Sequence, residues 1–157
     1  MTKPIRTVLC CPGHDERKLA RCRDFGADLI LFDLEDSVPI AEKDEARKTV
    51  RAGIERLHKR GVPVIVRVNG VTTGLTGEDV EAIVTEGLVA IAIPKLEFAE
   101  EVLKVDAWIE LFEQKAGLPK NTVEIVALPE TARGIMNAYE LASACKRVGT
   151  IVGGIGN

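Results

Sequence analysis

A carboxylate placed directly after a short apolar run and a proline is the first feature of this chain that could do chemistry. In Val123–Gly134, VEIVALPETARG, the run Ile125–Leu128 meets Pro129, and Glu130 follows. The run is too short for a helix and too continuously apolar for a strand with one wet face. It reads as a strand covered on both sides, as in a parallel sheet. Such sheets gather function at the carboxyl ends of their strands. Glu130 reads there in two ways. It is an acid favoured by the dipole of the following helix, or an oxygen ligand for a hard divalent cation such as Mg²⁺.

Other apolar runs also end in polar residues. Asp33-Leu34-Glu35-Asp36 puts three acids in four positions after Leu29–Phe32. A solvated turn accounts for Asp36 but not for Asp33, which lies between Phe32 and Leu34, so the group reads as a site or its support. Arg67 interrupts Val64–Asn69, VIVRVN. A buried guanidinium must be paired. Arg67 is therefore an anion-binding group, the partner of an acid such as Glu35, or both at once if the acid holds it in place. Asn69 ends the same run. Lys95 follows Ile93-Pro94 and reads as a Schiff-base lysine, an anion contact or a surface residue. Asn157 stands after the last apolar run.

The elements that must position these residues repeat about every 25 residues. Strands are expected at Arg6–Cys11, Leu29–Leu34, Val64–Val68, Val89–Ile93, Ile125–Leu128 and Val148–Val152. Helices are expected from Asp15, as cap, to Phe25, then over Pro39–Lys59, Glu78–Glu86, Leu96–Lys115 and Thr131–Lys146. Ala46, Val50, Ile54 and Leu57 recur at helical spacing, and Gly26 and Gly61 stand where helices stop. Strand and helix alternate, which implies a parallel sheet with right-handed crossovers. The first turn, CCPGHDERK, has no GxGxxG, against a dinucleotide fold. The fold class is therefore α/β, an incomplete (β/α)₈ barrel of about six parallel strands in one domain over residues 1–157. Its first and last strands are open edges, which favour association.

Composition narrows the function classes. A net charge of -3 gives no footprint for nucleic acid. No apolar run approaches the ~20 residues of a membrane span. Four cysteines lack CxxC spacing and read as reduced, buried thiols of a cytoplasmic protein. Neither His14 nor His58 has a partner at zinc-site spacing.

Several motifs together resemble one family. They are Arg6–Gly13 (RTVLCCPG), Gly26–Val38 (GADLILFDLEDSV), Lys43–Arg47 (KDEAR), Val66–Asn69 (VRVN), Ile93–Lys95 (IPK) and Pro129–Gly134 (PETARG). In this order, across nearly the whole chain, they resemble the citrate lyase β-subunit and malyl-CoA lyase group of HpcH/HpaI-type aldolases. The resemblance implies a (β/α)₈ barrel and a Mg²⁺-dependent lyase. It would cleave citryl-, malyl- or citramalyl-thioesters of coenzyme A or acyl carrier protein to a 2-oxo acid and an acyl thioester. It implies Glu130 as a metal ligand and Arg67 as the group that binds substrate and stabilises the enolate. Glu35 and Asp36 would hold metal-bound water and orient Arg67. Arg6, Asn69 and Lys95 would contact substrate. The family's second metal-ligand aspartate falls where this chain has Asn157. The family pattern continues for two more strands, so a C-terminal truncation is expected, and a homo-oligomer is the expected assembly. A Schiff-base aldolase using Lys95 and a non-catalytic barrel fragment are the alternatives.

Overall fold

Parity along the strands decides which side chains meet the helices and which meet the sheet's other face. In a computed structural model, which describes residues 4–154, Ile30, Phe32 and Leu34 join the large core beneath the helices. Leu29 belongs to a second, smaller cluster with Ile65 and Ala90, against which Leu31 and Val126 pack. Asp33 and Arg67 share the parity of this second face. A closed barrel turns that face inward.

The strands are β1 (Val8–Pro12), β2 (Leu29–Asp33), β3 (Val64–Arg67), β4 (Leu88–Ile93), β5 (Glu124–Ala127) and β6 (Val148–Ile151). They form one sheet in the order β1-β2-β3-β4-β5-β6, and every neighbouring pair is parallel. A doubly wound sheet reverses its strand order at a switch point. This sheet does not, which is the order of a barrel, here incomplete. The helices are α1 (Glu16–Arg21), α2 (Lys43–His58), α3 (Thr76–Ile83), α4 (Ala99–Lys115), α5 (Ala132–Met136) and α6 (Ala138–Ser143). Among the described residues, no helix is long and apolar enough to cross a membrane.

Asp15 caps α1, its side chain accepting from the Lys18 N–H at 3.0 Å. Several boundaries depart from the expected ones for local reasons. The first strand begins at Val8, because Arg6 and Thr7 turn their N–H groups to the Asp28 carboxylate. A 3₁₀ turn at Ile40–Glu42 precedes α2. Helix α3 runs earlier than expected, from Thr76, whose hydroxyl donates to the Asn69 and Gly70 carbonyls. Helix α4 begins at Ala99 rather than Leu96, because Leu96 donates to the Leu128 carbonyl and Glu101 takes the N–H groups of Glu97 and Phe98. The single helix expected over Thr131–Lys146 is two. Asn137 separates them and donates through its side chain to the Glu97 carbonyl at 2.8 Å. After Ser143 the chain leaves the helix so that buried Arg147 reaches Asp106, Glu113 and the Val123 carbonyl. The cysteines are free, but only Cys11 and Cys22 are buried; Cys10 points to the other face and is exposed.

Two motif glycines are explained by close approach. Gly13 donates to the Asp33 carbonyl at 2.7 Å, and a Cβ on Gly13 would strike the same oxygen. A Cβ on Gly134 would overlap the Leu96 carbonyl oxygen, because the first turn of α5 lies against the loop after β4. Gly134→Ala must separate the two, and we expect a loss of about 3 kcal/mol in urea denaturation, the upper end for an overpacked site. Wild-type stability would show that the contact relaxes freely.

Candidate functional site at the carboxyl ends of β2 to β5

Asp33 and Arg67 are Cα partners in the β2–β3 register. Both point to the same face, and the guanidinium meets the carboxylate in a bidentate fork. Nε lies 2.7 Å from Oδ1 and Nη2 lies 2.8 Å from Oδ2. The same two oxygens accept the N–H groups of Glu35 at 3.0 Å and Ser37 at 3.2 Å. The Asp33 side chain is wholly buried, whereas Arg67 keeps 22% of its surface exposed. Burial alone would push the Asp33 carboxyl up, but Arg67, Ser37 and Glu35 together outweigh it and hold it below the ordinary range. The hydrogen bonds to Asp33 raise Arg67 further above its already high value.

Glu35 continues the chain of charges. Its Oε2 lies 3.2 Å from Arg67 Nη1 and its Oε1 lies 2.9 Å from Lys95 Nζ. The contact with Arg67 is not aligned as a hydrogen bond, so Oε2 is a buried acceptor without a donor among the described residues. Burial pushes the Glu35 carboxyl up, against Lys95 and Arg67. Lys95, bonded to Glu35, is raised above the ordinary lysine value and remains an ammonium at neutral pH. Its Nζ also lies 3.4 Å from Asp36, and its backbone N–H donates to Glu130 Oε2 at 3.2 Å. Arg67, Glu35, Asp36, Lys95 and Glu130 thus come together from the ends of four successive strands. A cleft of about 320 Å³ opens beside them, lined in part by Glu35, Asp36, Asn69, Thr73 and Lys95.

One expected substrate contact is placed elsewhere. Arg6 precedes β1 and pairs with Asp28, which precedes β2, at 3.1 Å. That is the amino edge of the sheet. Six residues of extended chain, about 20 Å, separate it from the level of Pro12 and Asp33. Asn69 is buried, and its amide donates to the Leu34 carbonyl at 3.1 Å and to Asp79 at 2.6 Å. It supports the acidic turn and also lines the cleft. Asn157 lies outside the described residues.

The sequence motifs hid a supporting layer. Lys43 is buried and donates to the carbonyls of Leu34 at 2.6 Å and Glu35 at 2.8 Å. Arg47 bonds Asp79 at 2.8 Å, and Asp79 in turn takes the Asn69 N–H at 2.8 Å. Helix α2 therefore fixes both the acidic turn and the loop after β3. A signal was available: Lys43 and Arg47 extend the buried stripe of Val50, Ile54 and Leu57 at helical spacing, and a charge on an apolar stripe needs a partner.

A hard cation can be tested against these donors. Among the described residues no group of three or more His, Cys, Asp or Glu side chains is arranged to hold a metal. Mg²⁺ does not need one, since it usually takes one or two carboxylates and keeps water and substrate oxygens. Glu130 has one oxygen committed to Lys95. Gly154 lies beside it, where a Cβ would come 3.0 Å from Glu130 Cγ and crowd the carboxylate. With the free acceptor of Glu35 nearby, the donor set fits a cation that retains water.

Residues 6–155 match the family described as HpcH/HpaI aldolase/citrate lyase. The chain belongs to this family. Its relatives include a citrate lyase subunit beta of Leuconostoc mesenteroides subsp. cremoris, 36% identical over 143 residues, 91% of this chain and 47% of that one. They also include a (3S)-malyl-CoA thioesterase of Cereibacter sphaeroides (strain KD131), 37% identical over 150 residues, 96% of this chain and 49% of the relative. A citrate lyase beta subunit from M. tuberculosis, complexed with oxaloacetate and magnesium, superimposes with a TM-score of 0.67 at 27% identity, covering 93% of this chain and 56% of that one. A citrate lyase from Burkholderia xenovorans LB400 shares the fold with a TM-score of 0.79 at 20% identity, covering 97% and 49%. The chain spans about half the length of the curated relatives it matches.

Removing Asp33 strips a mostly buried guanidinium of its bidentate partner and leaves it the 3.2 Å contact with Glu35. Asp33→Asn should cost about 3 kcal/mol or more at neutral pH, measured by urea denaturation. The folded Asp33 carboxyl lies below the unfolded value of about 4. Its stabilisation is therefore full above pH 4 and lost as pH falls through the folded value. The gap between the two proteins should close over that acid range. A gap that stays constant down to pH 2 would show that Asp33 is not the ion-pair partner.

Proposed function

We propose that this chain carries the metal and carboxylate site of a Mg²⁺-dependent carbon–carbon lyase. Its substrate class is a β-hydroxy acyl thioester, such as a citryl, malyl or citramalyl ester of coenzyme A or acyl carrier protein. The products are a 2-oxo acid and an acyl thioester. One observation carries the reading: Arg67, locked by Asp33, stands with Glu35, Lys95 and Glu130 at adjacent strand ends on one face of the sheet. The relatives named as citrate lyase and malyl-CoA enzymes support it, as does the neighbour holding oxaloacetate and magnesium.

The cleavage must take a proton from the hydroxyl and stabilise negative charge on the enolate oxygen. When bound, Mg²⁺ polarises an oxygen of the substrate. Glu130 would hold the cation, with Asn157 as a second ligand. Arg67 presents a fixed cation to the substrate carboxylate or the enolate oxygen and needs no reorganisation during the reaction. Glu35 offers its unpartnered Oε2 to a water or a hydroxyl proton, with Asp36 beside it at the mouth of the cleft. Lys95 contributes charge as an ammonium. A Schiff base needs a neutral amine, which the bond from Lys95 to Glu35 opposes. Free cysteines support a cytoplasmic setting.

Turnover of a thioester panel containing malyl-CoA and citramalyl-CoA tests the reading. Cleavage should require Mg²⁺ and stop with EDTA. Glu130→Ala and Arg67→Lys should each lower kcat by about a hundredfold or more, lysine lacking the planar fork. Turnover that survives EDTA and is trapped by borohydride would replace this reading with the Schiff-base one.

A further inference from the structure

We propose that Lys95 is a positioning residue for Glu130, acting through its backbone rather than its amine. The inference rests on the reading of Glu130 as the metal ligand. Lys95 has φ 55°, in the left-handed region. Among the described residues one other non-glycine residue has positive φ, Asn121, and asparagine is a type that tolerates it. A lysine has no such tolerance, and residues held in this way gather where a site over-determines them.

The surroundings show what the conformation achieves. Leu128 donates to the Ile93 carbonyl at 3.0 Å, the last rung of β4 and β5. The left-handed residue then turns the chain so that the Lys95 N–H meets Glu130 Oε2 at 3.2 Å, and Leu96 donates to the Leu128 carbonyl at 3.3 Å. The same turn sends the side chain the other way, to Glu35 at 2.9 Å. One residue thereby holds carboxylates from the ends of β2 and β5. With one lone pair of Oε2 taken by the Lys95 N–H, the Glu130 carboxylate is oriented before a cation arrives. Asp33 is committed to both nitrogens of the Arg67 fork, whereas Glu130 carries a single bond from the Lys95 N–H.

The test uses Mn²⁺ alone, followed by the EPR signal of the free ion, on the full chain with circular dichroism to confirm folding. Wild type should bind one Mn²⁺ that Glu130→Gln loses. Lys95→Gly and Lys95→Val both remove the ammonium but differ in backbone preference. Glycine enters the left-handed region freely, whereas a β-branched residue resists it. Lys95→Gly should therefore bind Mn²⁺ about tenfold more tightly than Lys95→Val, and Lys95→Asn should follow glycine. If the valine variant fails to fold, Lys95→Ala takes its place with the same ranking. Equal affinities for glycine and the left-handed-averse variant would overturn the inference and leave the metal reading standing. No Mn²⁺ binding by wild type would overturn both. A turn that is merely structural would change folding stability without separating the affinities of folded variants.

Discussion

The bidentate pair of Asp33 with Arg67 is the interaction on which the rest of this site depends. A guanidinium inside a parallel sheet is tolerated only where a partner takes up its charge and its fork. The β2–β3 register supplies that partner directly, because Asp33 and Arg67 are level across the ladder. Once Asp33 is committed to Arg67, its oxygens also take the N–H groups of Glu35 and Ser37. The acidic turn is then shaped by the same carboxylate that holds the arginine. One Nη faces Glu35, part of the guanidinium stays exposed, and the cation is delivered to the strand ends in a fixed orientation.

Helix α2 shows how a motif away from the cleft serves this arrangement. Lys43 closes on two carbonyls of the turn, and Arg47 holds Asp79, which holds Asn69. These long side chains lose much rotamer freedom on burial, and their bonds to charged or carbonyl partners offset it. The result is a turn whose backbone polar groups are satisfied from the helix side, so its acids are free to face the cleft. Gly13 and Gly134 contribute by bringing backbone within hydrogen-bond or contact distance of Asp33 and Leu96, where a side chain has no room.

The order of strands and helices was legible because apolar runs with helical stripes between them leave few alternatives. Five polar residues at strand ends also came together as their positions implied. What the sequence left open was pairing. Asp33, Glu35 and Asp36 are equally acidic on paper, and only the register makes Asp33 the partner of Arg67. Asn69 lines the cleft as its place after the third strand suggests, yet the donors of its amide go to Leu34 and Asp79. Arg6 precedes the first strand, so its charge belongs to the opposite edge, a consequence of strand direction that a motif does not carry. The break at Asn137 depends on the distant Glu97 carbonyl, and no local propensity announces it.

A second buried arginine gives the comparison that separates a site from a structural network. Arg147 and Glu113 are each 1% exposed, and Arg147 spends its donors on Glu113, Asp106 and the Val123 carbonyl. Glu113 also accepts the N–H groups of Asn121 and Val123. The arginine and Glu113 of that network are covered, with only Asp106 reaching solvent, so it ties α4 to β5 and the segment before β6. The Arg67 cluster has comparable distances but a different outcome. Its arginine is partly exposed, Glu35 keeps an acceptor without a donor, and Glu130 has one oxygen uncommitted by Lys95. Burial makes an unsatisfied acceptor costly, and a protein that can build the Arg147 network has the means to cover this one. Leaving it open at the carboxyl ends of the strands is what a site for an oxygen-rich ligand and its cation requires.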